Sequence, residues 1–157
     1  MHPSNRDSVT RFHIGSDHGG VTLRRVLVDL LQASGHQVAS ITGPEGATES
    51  VDYPDVAVAV CRRVVDDPGA LGLLVCGSGQ GMAMTANRLP GIRAALLADV
   101  ASARLAREHN DANVICLGER VLGVEVAKEL LHAFLRASFQ GGRHQRRVDK
   151  VMAAGEG

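Results

Sequence analysis

Apolar and polar residues follow two rhythms along the chain, and the rhythms trade places about five times. Arg11–Ser16 reads as a short strand that runs into the polar turn Gly15-Ser16-Asp17-His18-Gly19-Gly20. Val21, Leu23, Val26, Leu27, Leu30 and Leu31 then recur at helical spacing, and Gly35 stands where such a helix would end. His36–Ile41 predicts a second strand, and residues 42–54, with Gly43, Pro44, Gly46 and Pro54, predict a loop. Val56, Val60, Val64 and Val65 mark a helix that stops before Asp66-Asp67-Pro68-Gly69. Ala70–Cys76 is a continuous apolar run, as expected of a strand buried on both faces of a parallel sheet.

Beyond that run the pattern predicts a helix over Met82–Arg88, stopped by Pro90-Gly91, and a fourth strand over Ile92–Ala98. A helix from about Val100 to Glu108, a strand over Asn113–Leu117 and an amphipathic helix over Val124–Ala137 follow. Gln140-Gly141-Gly142 breaks the chain before a basic helix from about Arg143 to Met152. This alternation predicts a single-domain, doubly wound, Rossmann-like α/β fold. Its five-stranded parallel sheet would carry helices on both faces, plus a C-terminal helix. The domain is expected over residues 11–152, with a flexible lead at 1–10 and a tail at 153–157.

Ligands of open α/β sheets bind beyond the carboxyl ends of the strands. Asp17-His18, the loop Cys76–Gly81 and Asp99 follow the first, third and fourth strands, so they are expected at that edge. His109-Asn110-Asp111, after the fourth helix, is expected to face the same edge.

Composition narrows the function classes. The formal net charge is zero over 157 residues, aromatics are 3% and Trp is absent. No global field would draw the chain to nucleic acid or an acidic membrane, and few rings could stack on single-stranded bases. Cys61, Cys76 and Cys116 are odd in number and not at metal-ligand spacing, which argues against a disulfide scaffold. The polar start and the lack of a membrane-length apolar run predict a cytoplasmic protein. Apart from Lys128 and Lys150 the cations are arginines, with Arg143, Arg146, Arg147 and Lys150 grouped near the C-terminus. That group suits a phosphate clamp or a solvated helix face.

Cys76-Gly77-Ser78-Gly79-Gln80-Gly81 alternates glycines between a buried strand and a helix start. Such a loop can turn successive N–H groups into one concavity and hold an anion, or can simply allow tight strand–helix packing. No Lys-Ser or Lys-Thr follows, and no acidic residue ends the second strand, so it is neither a P-loop nor a dinucleotide fingerprint. A thiol at the lip of this loop gains thiolate character and becomes a candidate nucleophile or base. Cys61 and Cys116 read as small buried hydrophobes, and His13 and His132 as structural. Asp17-His18 and His109 are candidates for proton transfer, and Arg120, Arg143 and Arg147 for phosphate binding.

Several of these segments together resemble the ribose-5-phosphate isomerase B family, which also includes isomerases of galactose, allose and four-carbon ketose phosphates. The segments are Gly15–Gly20, Asp52-Tyr53-Pro54, Cys76–Gly81, Ala86-Asn87, Gly91-Ile92-Arg93, Arg107–Asn113 and Gly141–Val148, in order over residues 11–152. The resemblance implies cofactor-free, metal-free interconversion of ribose 5-phosphate and ribulose 5-phosphate through a cis-enediolate. Cys76 matches the base, and His109 the group that helps open the furanose ring, with Asp17 nearby. Ser78, Asn110 and the backbone of Gly77, Gly79 and Gly81 match the oxyanion and sugar contacts, and Tyr53 borders the sugar. His18, Arg120, Arg143 and Arg147 match the phosphate clamp. The family's site is shared within a homodimer or homotetramer, with His109, Asn110 and Arg120 supplied by the partner. One branch carries a glutamate base just after the third glycine. Met82 stands there in this chain, leaving Cys76 as the base candidate in the loop.

The loop at Thr42–Val51 is individual to this chain and leaves the sugar open. An isomerase of a tetrose, allose or galactose phosphate, a non-catalytic phosphosugar-binding module, and a thiol enzyme with a covalent intermediate are the competing readings.

Overall fold

Five parallel strands form one sheet in the order β2-β1-β3-β5-β4. They are β1 (Arg11–Ser16), β2 (Gln37–Thr42), β3 (Leu71–Cys76), β4 (Ala94–Leu96) and β5 (Val114–Gly118). The helices are α1 (Val21–Ala33), α2 (Tyr53–Asp66), α3 (Gln80–Ala86), α4 (Val100–Asn110), α5 (Val124–Arg136) and α6 (Arg143–Ala153), with a short 3₁₀ turn at His18–Gly20. This computed structural model describes residues 8–156. Residues 1–7 of the expected lead and Gly157 of the expected tail lie outside the described residues.

The doubly wound arrangement follows from strands that bury both faces. All six residues of β3 and all five of β5 are buried, as the unbroken apolar run predicts. Leu73, Val75, Ile115 and Leu117 point to one side, where Leu27, Leu31, Ala103, Leu130, Leu131 and Phe134 of α1, α4 and α5 cover them. Leu74, Cys76, Val114 and Cys116 point to the other, under Val56, Val60, Cys61, Met82 and Ala83 of α2 and α3. Each fully buried Leu or Phe in these layers contributes roughly 1.5–3 kcal/mol of transfer free energy.

Three details differ from the sequence expectation. The fourth strand is Ala94–Leu96 rather than Ile92–Ala98. Ile92 and Leu97 are apolar because they are buried in opposite layers, beyond the ends of the strand. The loop after β2 ends before Tyr53, because Pro54 enters the first turn of α2, where its missing N–H has no helical acceptor to lose. Helix α4 reaches Asn110, so His109 and Asn110 belong to its last turn. The C-terminal helix α6 packs on α4 and buries His144 and Val148.

Candidate active site

The glycine loop leaves β3 between two other turns at the carboxyl edge of the sheet. On one side Asp17 caps the 3₁₀ turn by accepting the Gly19 N–H at 2.9 Å. A Cβ on Gly19 would lie 3.3 Å from the Gly77 nitrogen, and one on Gly20 would lie 2.6 Å from the Val75 carbonyl oxygen. These two glycines let the first turn press against the loop. On the other side the chain beyond β5 is tied down by Glu119 N–H donating to Cys76 O and Arg120 N–H donating to Gly77 O, each at 2.9 Å. Gly118 passes so close to Ser78 that a Cβ would meet its carbonyl carbon at 2.6 Å.

Within the loop, Gly79 adopts φ +77°, and its N–H donates to the Cys76 sulfur at 3.1 Å. Cys76 is buried, 4% exposed, at the lip of the layer under α2 and α3. The Gln80 N–H donates to Ser78 Oγ at 3.3 Å. Among the described residues the N–H groups of Gly77 and Ser78 have no acceptor, so the loop presents unpaired donors beside the thiol. The ring of Tyr53, from the start of α2, lies over Gly81.

His18 stands on the 3₁₀ turn with Nδ1 against the Val51 backbone, 3.1 Å from its nitrogen and 3.2 Å from its oxygen. The side chain of Arg120 lies along Gly77, where an added Cβ would be 3.4 Å from Cδ. Asp17, His18, Tyr53, Cys76, Ser78 and Arg120 therefore share one edge of one chain. The resemblance implied that Arg120 comes from the partner. The Arg120 N–H on Gly77 O and its side-chain contact with Gly77 place it instead against its own chain's loop.

His109 and Asn110 are elsewhere. Helix α4 leaves β4 at the carboxyl edge and must return the chain to the amino edge to start β5 as a parallel strand. The expectation that His109-Asn110-Asp111 faces the Asp17-His18 edge is thus incorrect, because the helix carries them to the opposite edge. There Arg107 and Arg93 hold Asp111 at 2.7 and 3.4 Å, and Asn113 Oδ1 accepts the Arg93 N–H. His109 stacks on His144 of α6, with ring centroids 4.1 Å apart and planes 11° from parallel. Arg143 and Arg147 flank that stack on α6 and are exposed. The residues singled out from the sequence thus form two groups at opposite edges of the chain.

Cys61 and Cys116 are buried thiols. Burial pushes Cys61 up to about 12 and Cys116 well above its ordinary value, consistent with packing roles. Residues not singled out from the sequence also hold the edge together. Buried Arg24 donates to Ser16 Oγ at 2.9 Å and to Pro44 O at 2.7 Å, and desolvation lowers its pKa. Glu119 accepts the Leu23 N–H at 2.6 Å in the first turn of α1, beside Arg120. Arg24 is hidden by periodicity, since it sits between apolar positions of an amphipathic helix. The partner of Glu119 is 96 residues away and leaves no local signal.

The model of the ribose/galactose isomerase family matches residues 12–151. The chain belongs to that family. It is 43% identical over 138 residues to the putative sugar phosphate isomerase YwlF of Bacillus subtilis, covering 88% of this chain and 92% of that protein. It is 42% identical over 139 residues to the D-erythrulose-4-phosphate isomerase of Pectobacterium atrosepticum, covering 88% and 90%. The structure of ribose-5-phosphate isomerase B from Clostridium thermocellum superposes with a TM-score of 0.89 at 44% identity, covering 94% of this chain and 98% of that one.

Proposed function

We propose that residues 11–152 form an isomerase that interconverts ribose 5-phosphate and ribulose 5-phosphate through a cis-enediolate, with Cys76 as the base. The observation that carries this reading is the Cys76 sulfur, held by the Gly79 N–H next to the unpaired N–H groups of Gly77 and Ser78. An enediolate needs a base beside fixed donors where negative charge develops, and the loop supplies both.

The ring opens first. The C1–O4 bond breaks, C1=O1 forms, His109 gives a proton to the ring oxygen and Asp17 takes the proton of the anomeric hydroxyl. Cys76 as thiolate then removes the C2 proton, and the negative charge on the former carbonyl oxygen meets the loop N–H groups and Ser78. Return of the proton to C1 and proton transfer between the two oxygens completes the ketose. His18 and Arg120 take the phosphate from one side, and Tyr53 borders the sugar.

His109, Asn110, Arg143 and Arg147 lie at the other edge of the chain, so we assign them to the site of a second copy, in a homodimer or a dimer of dimers. Each subunit then lends its amino-edge group to its partner's loop, a closed isologous arrangement. No helix among the described residues is long and apolar enough to cross a membrane. Three free buried thiols suit a reducing cytoplasm.

The test is an isomerisation screen of pentose, tetrose and hexose phosphates with wild type and Cys76→Ala side by side. Turnover of ribose 5-phosphate that disappears in Cys76→Ala supports the reading. Turnover of a four-carbon ketose phosphate alone would replace the substrate, as the Pectobacterium relative's name suggests. Binding without any turnover would favour a non-catalytic phosphosugar module.

A further inference from the structure

An imidazole that moves a proton needs its ring plane fixed, and a fixed ring usually shows a hydrogen bond to one nitrogen. His109 shows none. Among the described residues no group hydrogen-bonds either of its ring nitrogens, although the ring is partly buried in the last turn of α4. What holds it is a face: the ring of His144 lies 4.1 Å away and only 11° from parallel.

His144 is built to be that face. It is 7% exposed and sits in the first turn of α6. The backbone just before its helix is tied to α4 through the Gln140 N–H on Glu108 O at 2.9 Å, and the His144 N–H closes the first turn on Gly141 O at 3.0 Å. Gly141 and Gly142, at φ +62° and +54°, make the reversal that brings one ring over the other. Nor do the His144 ring nitrogens have a hydrogen-bond partner among the described residues, so its contribution there is its π-face and its bulk.

We propose that His144 is a positioning residue for ring opening: a neutral aromatic platform that fixes the plane of His109 while leaving both His109 nitrogens free for the sugar. This rests on the assignment of His109 under the proposed function. A neutral ring can stack on imidazole and, through its negative face, on imidazolium, so the platform holds across a proton transfer. Two imidazolium rings at this distance would repel. Burial, with His109, Arg143 and Arg147 adding to it, lowers the pKa of His144 and so favours its neutral form.

The aldose and ketose separate ring opening from enediolate chemistry. Ribose 5-phosphate is mostly a furanose, whereas ribulose 5-phosphate cannot close through its phosphorylated O5 and is already open. Exchange of the ketose C1 proton with solvent therefore reports Cys76 alone, and aldose turnover reports opening as well. In the full-length protein, His144→Ala is expected to lower aldose turnover about tenfold, part of the roughly 10²–10⁴-fold effect of a general acid. Exchange at ketose C1 should fall far less. His144→Phe, which keeps the face and loses the nitrogens, should recover most of the loss.

Equal losses in both assays, or a Phe variant as impaired as the Ala variant, would overturn the platform. So would an Ala variant that opens the ring as fast as wild type. Should Cys76→Ala retain C1 exchange, the assignment of the base fails independently of this result.

Discussion

The Tyr53 ring lies directly over Gly81, so closely that a Cβ on that glycine would come within 2.5 Å of Tyr53 Cζ and 2.9 Å of Cδ2. The first turn of α2 and the start of α3 thus meet through an aromatic face and a missing side chain, at the mouth of the loop that carries Cys76. Gly81→Ala must push the ring aside. The expected cost is about 1–3 kcal/mol of stability, typical of overpacking, together with a higher KM for sugar phosphate. Adding Tyr53→Ala removes the clash, so the stability losses should be less than additive in a double-mutant cycle followed by urea melts.

Cys76→Ala should lower turnover by about 10²–10⁴-fold while phosphate affinity changes little, since the base does not touch the phosphate. Steady-state kinetics and inorganic phosphate competition measure the two quantities separately. A variant with near-normal turnover would remove Cys76 from the role of base.

The other two thiols predict an alkaline instability. Burial raises the Cys61 pKa from its ordinary 9.0 to about 12, and pushes that of Cys116 well above its ordinary value. Above the unfolded value the unfolded chain has lost these protons while the folded protein keeps them. Folding stability is therefore intact below about pH 9 and falls as pH rises towards about 12. Cys61→Ala should flatten this limb in denaturant melts run across that range, and Cys76→Ala serves as the comparison.

Asp67 predicts the opposite limb. Its carboxylate takes bonds from Arg11 at 2.6 Å and meets His13 Nε2 at 3.0 Å, and these partners hold its pKa below the ordinary 3.8. The contribution is present above that value and disappears as pH falls through the lowered one. Asp67→Asn should lose stability at neutral pH and show a shallower acid limb. Equal slopes for wild type and variant would assign the limb to other carboxylates.

How much of this was legible in the sequence depends on the distance over which each signal acts. The apolar run of β3 and the helical spacing of α1 are local, and both elements appear where the pattern placed them. The fourth strand is overstated by the apolar pattern because burial, not strand geometry, makes Ile92 and Leu97 apolar. Its outer backbone is paired instead by the Asn87 side chain, which bonds the Ala94 N–H and C=O at 2.8 and 2.9 Å. Asp17, His18 and Cys76 fall at one edge because the first two follow β1 directly and the third ends β3. The edge that His109 reaches is not legible locally, because the length and direction of α4, rather than any local motif, decide it. The stack of His109 on His144 joins residues 35 positions apart and has no sequence signature.

The separation of the two groups gives the last prediction. Cys76→Ala and His109→Ala homodimers should each be nearly inactive, since every site lacks its base or its ring-opening acid. After mixing in equal amounts and exchanging subunits, half of the dimers are mixed. Each mixed dimer has one site with both residues intact and one with neither, so activity should return to about a quarter of the wild-type value per site. If Cys76 and His109 served the same site from one chain, no mixture could restore it. Recovery should follow the rate of subunit exchange, measured with fluorescently labelled chains, and a cross-link that prevents exchange should abolish it.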